Sequence, residues 1–406
     1  MRPQAPEADA LKTIALSRLL RLAALPILAA LILWVETRRQ PGFFRLISLA
    51  LTFLIVADIA SLLRGAARDV SLMLASLLFG LSAIEAAAYV MQPGQLIASS
   101  DGATVRRPVI GWGPERAGRF HSEKSDPKTG APIYSADYTI DSNLMRQTLS
   151  AEASRPAIAF FGDSITFGVG LNDADTLPQR FADLEPGERV INLAFTGYGP
   201  QHFLREMETG LVDAAIGPRP KLFVFLTVPW HAERTSCKAS WVVDAPRYAL
   251  ENGKVAFKGA CFEGVALQLR QFIWNSAAYH LIFDPDRGKA SHEDIELYIR
   301  ILLAAVDLAK TKYDAPTLIP FMRGADEYLR GTGFTNESIM ARLAAGGADV
   351  VDVSLVKEEA AGVKIAIPGD GHPTALANRL RAEMLRAYIV QNMAHVLLAA
   401  APTTPN

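Results

Sequence analysis

Apolar residues follow two patterns along this chain. Up to about residue 91 they form long runs with almost no polar interruption; from about residue 156 they form short blocks separated by segments of helical spacing. Residues 46–63 are broken only by Asp58 and residues 70–91 only by Glu85. Residues 22–35 carry no charge, with Arg18 and Arg21 one turn upstream. Such a run is short for a bilayer, which takes about 20 residues, but the two arginines can snorkel to the interface and lengthen it. A soluble bundle would show polar faces, and these are nearly absent. The pattern therefore predicts three transmembrane helices within residues 1–92. Glu36-Thr37-Arg38-Arg39 offers no small-x-small cleavage site, so the first segment is expected to remain as an anchor.

In the second region, residues 157–161, 189–193, 221–227, 316–321 and 348–353 read as strands. Helical spacing falls over 173–184, 200–212, 265–280, 292–311, 336–345 and 373–398. Strands alternating with helices predict a parallel sheet covered on both faces. Unbroken apolar strands such as Ala157-Ile158-Ala159-Phe160-Phe161 fit such a sheet, because neither face meets water. Residues 93–155, rich in Gly, Pro, Ser and charge, read as an extracytoplasmic lead-in, 156–398 as the main domain and 399–406 as a tail. Residues 235–262 form an insertion whose Asn252-Gly253 pair signals a hairpin.

Charge sets direction and excludes some partners. The net charge is -1 over 406 residues, which excludes nucleic-acid binding through a basic surface. Arg2, Lys12, Arg18, Arg21, Arg64 and Arg68 fall on one side of the expected spans, and Arg38, Arg39 and Arg45 on the other. That excess puts the N-terminus in the cytoplasm and residues after 91 outside. A multi-pass protein of the bacterial inner membrane is the expectation, with membrane lipid around it. Asp58 and Glu85 lie within spans, where a carboxylate is costly; they would face each other, a partner membrane protein, or a helix end. The two cysteines, Cys237 and Cys261, flank the expected hairpin, and in an oxidising compartment they would bridge.

Candidate chemistry collects at strand ends, where open α/β sheets place their sites. Gly162-Asp163-Ser164 follows the first strand, Gly197 lies beyond the second, Pro229-Trp230-His231 follows the third, and Asp370-Gly371-His372-Pro373 opens the last helix. Gly-Asp-Ser alone is a weak signal, arising by chance in about one chain in ten of this length. The seven histidines are scattered and the cysteines lack ligand spacing, so neither metal nor other cofactor is expected.

Taken together, these blocks resemble the SGNH (GDSL) hydrolase superfamily over roughly residues 155–395. The resemblance implies a flavodoxin-like, three-layer α/β fold with Ser164 as nucleophile, His372 as base and Asp370 orienting it. It also implies an oxyanion hole from the N–H groups of Ser164 and Gly197. Two departures stand out. The family's third block carries an asparagine where this chain has Trp230-His231, so His231 becomes the candidate third oxyanion donor or else a packing residue. Asp370 and His372 are separated by one residue instead of two. The implied activity is hydrolysis of an ester, such as an O-acetyl group, on an envelope glycan or lipid. The alternatives are acyl transfer to a polysaccharide hydroxyl and non-catalytic binding of an acylated glycan.

Overall fold

The computed structural model describes residues 6–36, 43–91, 104–126, 129–239, 241–274, 276–283 and 290–398. Three helices open the chain: α1 (Pro6–Glu36), α2 (Phe43–Leu62) and α3 (Ala66–Met91). Two antiparallel pairs follow, β1 (Thr104–Arg107) with β2 (Gly111–Pro114), and β3 (Gly118–Ser125) with β4 (Pro132–Ile140). The chain continues through β5 (Ala157–Phe161), α4 (Ser164–Phe167), α5 (Leu177–Leu184), β6 (Arg189–Asn192), α6 (Pro200–Thr209) and α7 (Asp213–Ile216). Next come β7 (Leu222–Phe225), α8 (His231–Thr235), the hairpin β8 (Pro246–Glu251) and β9 (Lys254–Ala260), then α9 (Gly264–Trp274) and α10 (Ala277–Phe283). The remainder is α11 (His292–Tyr313), β10 (Thr317–Phe321), α12 (Asp326–Leu329), α13 (Asn336–Ala345), β11 (Asp349–Asp352), α14 (Val356–Ala360), α15 (Ala375–Asn392) and α16 (Ala394–Leu398).

The chain divides into two compact units. Residues 1–95 and 264–287 form one; 96–263 and 288–406 form the other. In the first, α2 over Arg45–Leu62 and α3 are long and apolar enough to cross a bilayer, with mean hydropathies of 1.9 and 1.8. The expected first span differs: within α1 the apolar stretch is only Leu19–Trp34. At 1.5 Å per residue it covers roughly 24 Å, short of a hydrocarbon core of about 30 Å. Two spans, not three, meet the length requirement among the described residues.

The second unit is built on a five-stranded parallel sheet of order β11-β10-β7-β5-β6. Successive side chains of a strand point to opposite faces, and the two cores obey that alternation. Ala157, Ala159 and Phe161 pack with Phe203, Met207, Tyr298 and Ile339 on one face. On the other, Ile158 and Phe160 pack with Leu177, Phe181, Leu385 and Ile389. All five β5 residues are buried, which is why the strand carries no polar residue.

Residues 265–280, expected to form one sheet-covering helix, instead form α9 and α10 and group with α1–α3. Among the described side chains, Val265, Leu269 and Ile273 are exposed instead of entering the sheet's cores. The lead-in is not separate from the second unit. Ile110, Phe120, Tyr138 and Ile140 share a core with Phe167, Phe195 and Tyr198. The hairpin insertion carries Asn252 and Gly253 both at positive φ, as its two-residue turn demands, and Cys237 is bonded to Cys261.

Candidate active site

The Gly162-Asp163-Ser164 turn is set by sterics and then pinned by charge. A Cβ at Gly162 would stand 2.2 Å from Thr166 Oγ1, so only glycine lets β5 turn into α4. Asp163 caps α4, its Oδ1 accepting from the Ile165 N–H at 2.9 Å. Its Oδ2 accepts from His231 Nε2 at 3.0 Å and Arg234 Nη1 at 2.8 Å. Burial alone would raise the Asp163 carboxyl; the Arg234 charge and the hydrogen bonds from His231 and Ile165 outweigh it and hold the group far below the usual carboxylate range. Ser164, next in sequence, is half-buried.

His231 lies beneath this turn. Its side chain is fully buried, with Nε2 at Asp163 and Nδ1 3.2 Å from Thr227 Oγ1. Thr227 Oγ1 is in turn 2.9 Å from the Tyr298 hydroxyl. Burial and the nearby Arg234 charge push the imidazole down to about 4, so it is neutral at pH 7. A carboxylate only accepts, so the proton sits on Nε2 and Nδ1 accepts from Thr227, whose oxygen is left to accept from Tyr298. Every polar atom of this relay has its partner inside the protein.

The candidate base, His372, sits in a tight turn before α15. His372 Nδ1 donates to Asp370 Oδ2 at 2.5 Å, and the His372 backbone N–H reaches the same oxygen at 3.2 Å. Asp370 Oδ1 accepts from Lys124 Nζ of β3 at 2.7 Å. Burial pushes the Asp370 carboxyl up, but the hydrogen bonds from His372 and Lys124 prevail and keep it well below the normal range. Gly369 and Gly371 take positive φ here, which allows so short an Asp-x-His turn.

Ser164 and His372 are not hydrogen-bonded to each other in this structure, but their loops touch. A Cβ on Gly170, just after α4, would stand 2.8 Å from Ile367 Cδ1 and 3.1 Å from the Tyr134 ring. Ile367 N–H donates to the His372 carbonyl at 2.7 Å. The hairpin β3–β4 joins both sides: Tyr138 OH accepts from the Gly170 N–H at 2.8 Å, and Ile133 packs against Gly369. Catalytic hydrogen bonds in unliganded enzymes are often long and close only around substrate.

Gly197 lies in the loop after β6 at φ +79, where a Cβ would come within 3.0 Å of the Trp241 ring. Trp112 Nε1 donates to the Thr196 carbonyl at 2.8 Å, and Tyr198 OH to the Trp112 carbonyl at 2.6 Å. Lead-in residues thus shape this loop as well.

Sequence reasoning missed Lys124, Arg146, Arg234, Thr227 and Tyr298. Arg146 is buried, bonding Asp173 at 2.7 Å and the carbonyls of Leu171 and Phe167 at 2.8 and 3.3 Å. It thereby holds the segment that leaves α4. A lone arginine in a polar lead-in gives no local signal of that role. No group of residues suited to holding a metal ion is present among the described residues.

The parallel sheet, the Gly-Asp-Ser turn leaving one of its interior strands and the Asp-x-His pair at the mouth of the last long helix bring these sequence blocks together in one α/β unit. No protein-family model and no curated protein matches the chain. The chain is similar to solved structures at low sequence identity. One is a member of the lipolytic G-D-S-L family from Veillonella parvula DSM 2008, at 17% identity over 58% of this chain and 98% of that one, TM-score 0.36. TesA aligns at 16% identity over 57% and 97%, TM-score 0.34. The esterase AlinE4 aligns at 18% identity over 63% and 100%, TM-score 0.31.

Proposed function

We propose that this chain is a membrane-anchored serine esterase acting outside the cytoplasm on O-acyl esters, acetyl above all, of an envelope glycan or lipid. The observation that carries the reading is the hydrogen-bonded pair His372–Asp370, on a loop that approaches the one leaving the serine at the end of β5. Ser164 Oγ attacks the ester carbonyl. With Nδ1 of His372 donating to Asp370, Nε2 is the nitrogen that accepts the serine proton and returns it to the leaving alcohol. Water then attacks the acyl-enzyme by the reverse route.

The oxyanion is stabilised by the N–H groups of Ser164 and Gly197, each worth roughly 3 kcal/mol of barrier. His231 is a positioning residue in this account. Its two nitrogens are committed to Asp163 and Thr227, and its job is to hold the residue that precedes the nucleophile.

Localisation outside the cytoplasm requires α1 to cross along with α2 and α3, Arg18 and Arg21 snorkelling to lengthen the Leu19–Trp34 stretch; with α2 and α3 alone the chain after residue 91 would return to the side of the N-terminus. Acyl transfer to a glycan hydroxyl is the second reading, favoured by the exposed Trp241 indole beside Gly197, a flat platform suited to a sugar ring. The test is turnover of nitrophenyl acetate and longer esters by the full chain in detergent, with and without glycan acceptors. Ser164→Ala and His372→Ala should abolish turnover equally; full activity of Ser164→Ala would remove the esterase reading. Acceptor-dependent acyl-glycan with little free acid would select transfer.

A further inference from the structure

The segment carrying α9 and α10 interrupts the catalytic unit yet belongs to the helical one: the chain leaves after Glu263 and re-enters at Gly288. The contact that holds it is specific. Glu85 of α3 is only 3% exposed, and its carboxylate accepts from Ser276 Oγ at 2.8 Å, from the Ala278 N–H at 3.3 Å and from the Ala277 N–H. The first amides of a helix lack intrahelical partners, so an acidic side chain of α3 caps α10. Charge-assisted bonds of this kind are the stronger sort, and they give a carboxylate inside a span the donors it needs.

We propose that α9 and α10 form an arm seated in the lipid interface, docked on α3 through Glu85, with acyl chains and headgroups as the occupant of its apolar face. This rests on the reading of α3 as a membrane span. Depth supports lipid as the occupant: Glu85 is six residues before the end of α3 at Met91, about 9 Å along the axis at 1.5 Å per residue. Amphipathic helices at a bilayer surface bury their apolar face about 5–10 Å into the headgroup and acyl boundary. Periodicity supports it too. Val265, Leu269 and Ile273 are spaced by four, share one helix face and are 79%, 58% and 39% exposed, and Leu281 and Ile282 are exposed on α10. Leu77, Phe79 and Ile84 of α3, in the same unit, are exposed apolar side chains as well.

The test is depth measurement by nitroxide accessibility on the full chain in nanodiscs of phosphatidylethanolamine and phosphatidylglycerol. Labels are placed one at a time at Leu269→Cys, Ile273→Cys, Leu77→Cys and, on the hairpin of the catalytic unit, Leu250→Cys. Labels at 269, 273 and 77 should collide with oxygen several-fold more than with a water-soluble nickel complex, and the label at 250 the reverse. Aqueous behaviour at 269 and 273 with a lipid-exposed 77 would overturn the arm alone and leave the face to a protein partner. Aqueous behaviour at 77 as well would overturn the membrane reading beneath it. Glu85→Leu should speed amide exchange over 277–283 about tenfold or more; unchanged exchange would overturn the docking through Glu85.

Discussion

Replacing His231 by alanine separates a positioning role from an oxyanion role by which quantity falls. The substitution removes one of three donors to Asp163, leaving Arg234 and the Ile165 N–H. A hydrogen bond to a charged group is worth about 1.5–3 kcal/mol, and emptying a fully buried ring site adds roughly 2 kcal/mol. The expected loss is about 4 kcal/mol, or a fall in Tm on the order of 10 °C for a unit of this size. At a temperature where the variant stays folded, kcat should remain within about tenfold of the parent and KM should hold. The pH dependence gives a second readout. A histidine in the unfolded chain titrates near 6.5, whereas burial holds His231 down at about 4. On acidification the unfolded chain therefore binds this proton first, so stability is full above pH 6.5 and declines as pH falls towards 4, by about 3 kcal/mol. His231→Ala should flatten that part of the stability profile. The decline will not vanish, because burial lowers His202 as well, to about 3. Thermal unfolding in detergent across pH 4–8 and nitrophenyl acetate kinetics measure both. A variant with unchanged Tm and a 100-fold lower kcat would refute the reasoning and make His231 an oxyanion donor.

Lys124→Met should lower kcat about tenfold with little change in KM, because Asp370 loses the partner on its second oxygen, and Lys124→Arg should restore most of it; steady-state kinetics decide, and an unchanged kcat would remove Lys124 from the site. Asp370→Asn should be damaging but less complete than His372→Ala in the same assay, since Asp370 orients the imidazole without touching the ester. An alkaline phosphatase fusion after Met91 should be active and a cytoplasmic reporter there silent; the reverse pattern would place the catalytic unit in the cytoplasm.

The parts legible in the sequence are those with a local cause. Ala157–Phe161 is apolar throughout because both faces are buried, and Gly162 is glycine because Thr166 leaves no room for a Cβ. Asp370 and His372 could be paired because they share one turn. The rest depends on contacts between distant segments. Lys124 meets Asp370 across 246 positions, and Glu85 meets Ser276 across 191; no periodicity encodes either. His231 was ambiguous for a related reason: its role depends on Asp163, 68 positions away. The length of 265–280 suggested one helix on the sheet, but its apolar stripe belongs with α1–α3. For α1, the arginines suggested a third span that its apolar length does not by itself supply.

The central claim is that Ser164, activated by His372, forms a covalent acyl-enzyme. Its most direct test is to treat the full chain in detergent with a fluorophosphonate and locate the adduct by peptide mass spectrometry. The adduct should map to the peptide carrying Ser164, form in step with loss of esterase activity, and be slowed by several orders of magnitude in His372→Ala. Labelling of another residue, or labelling of Ser164 at the same rate without His372, would contradict the account.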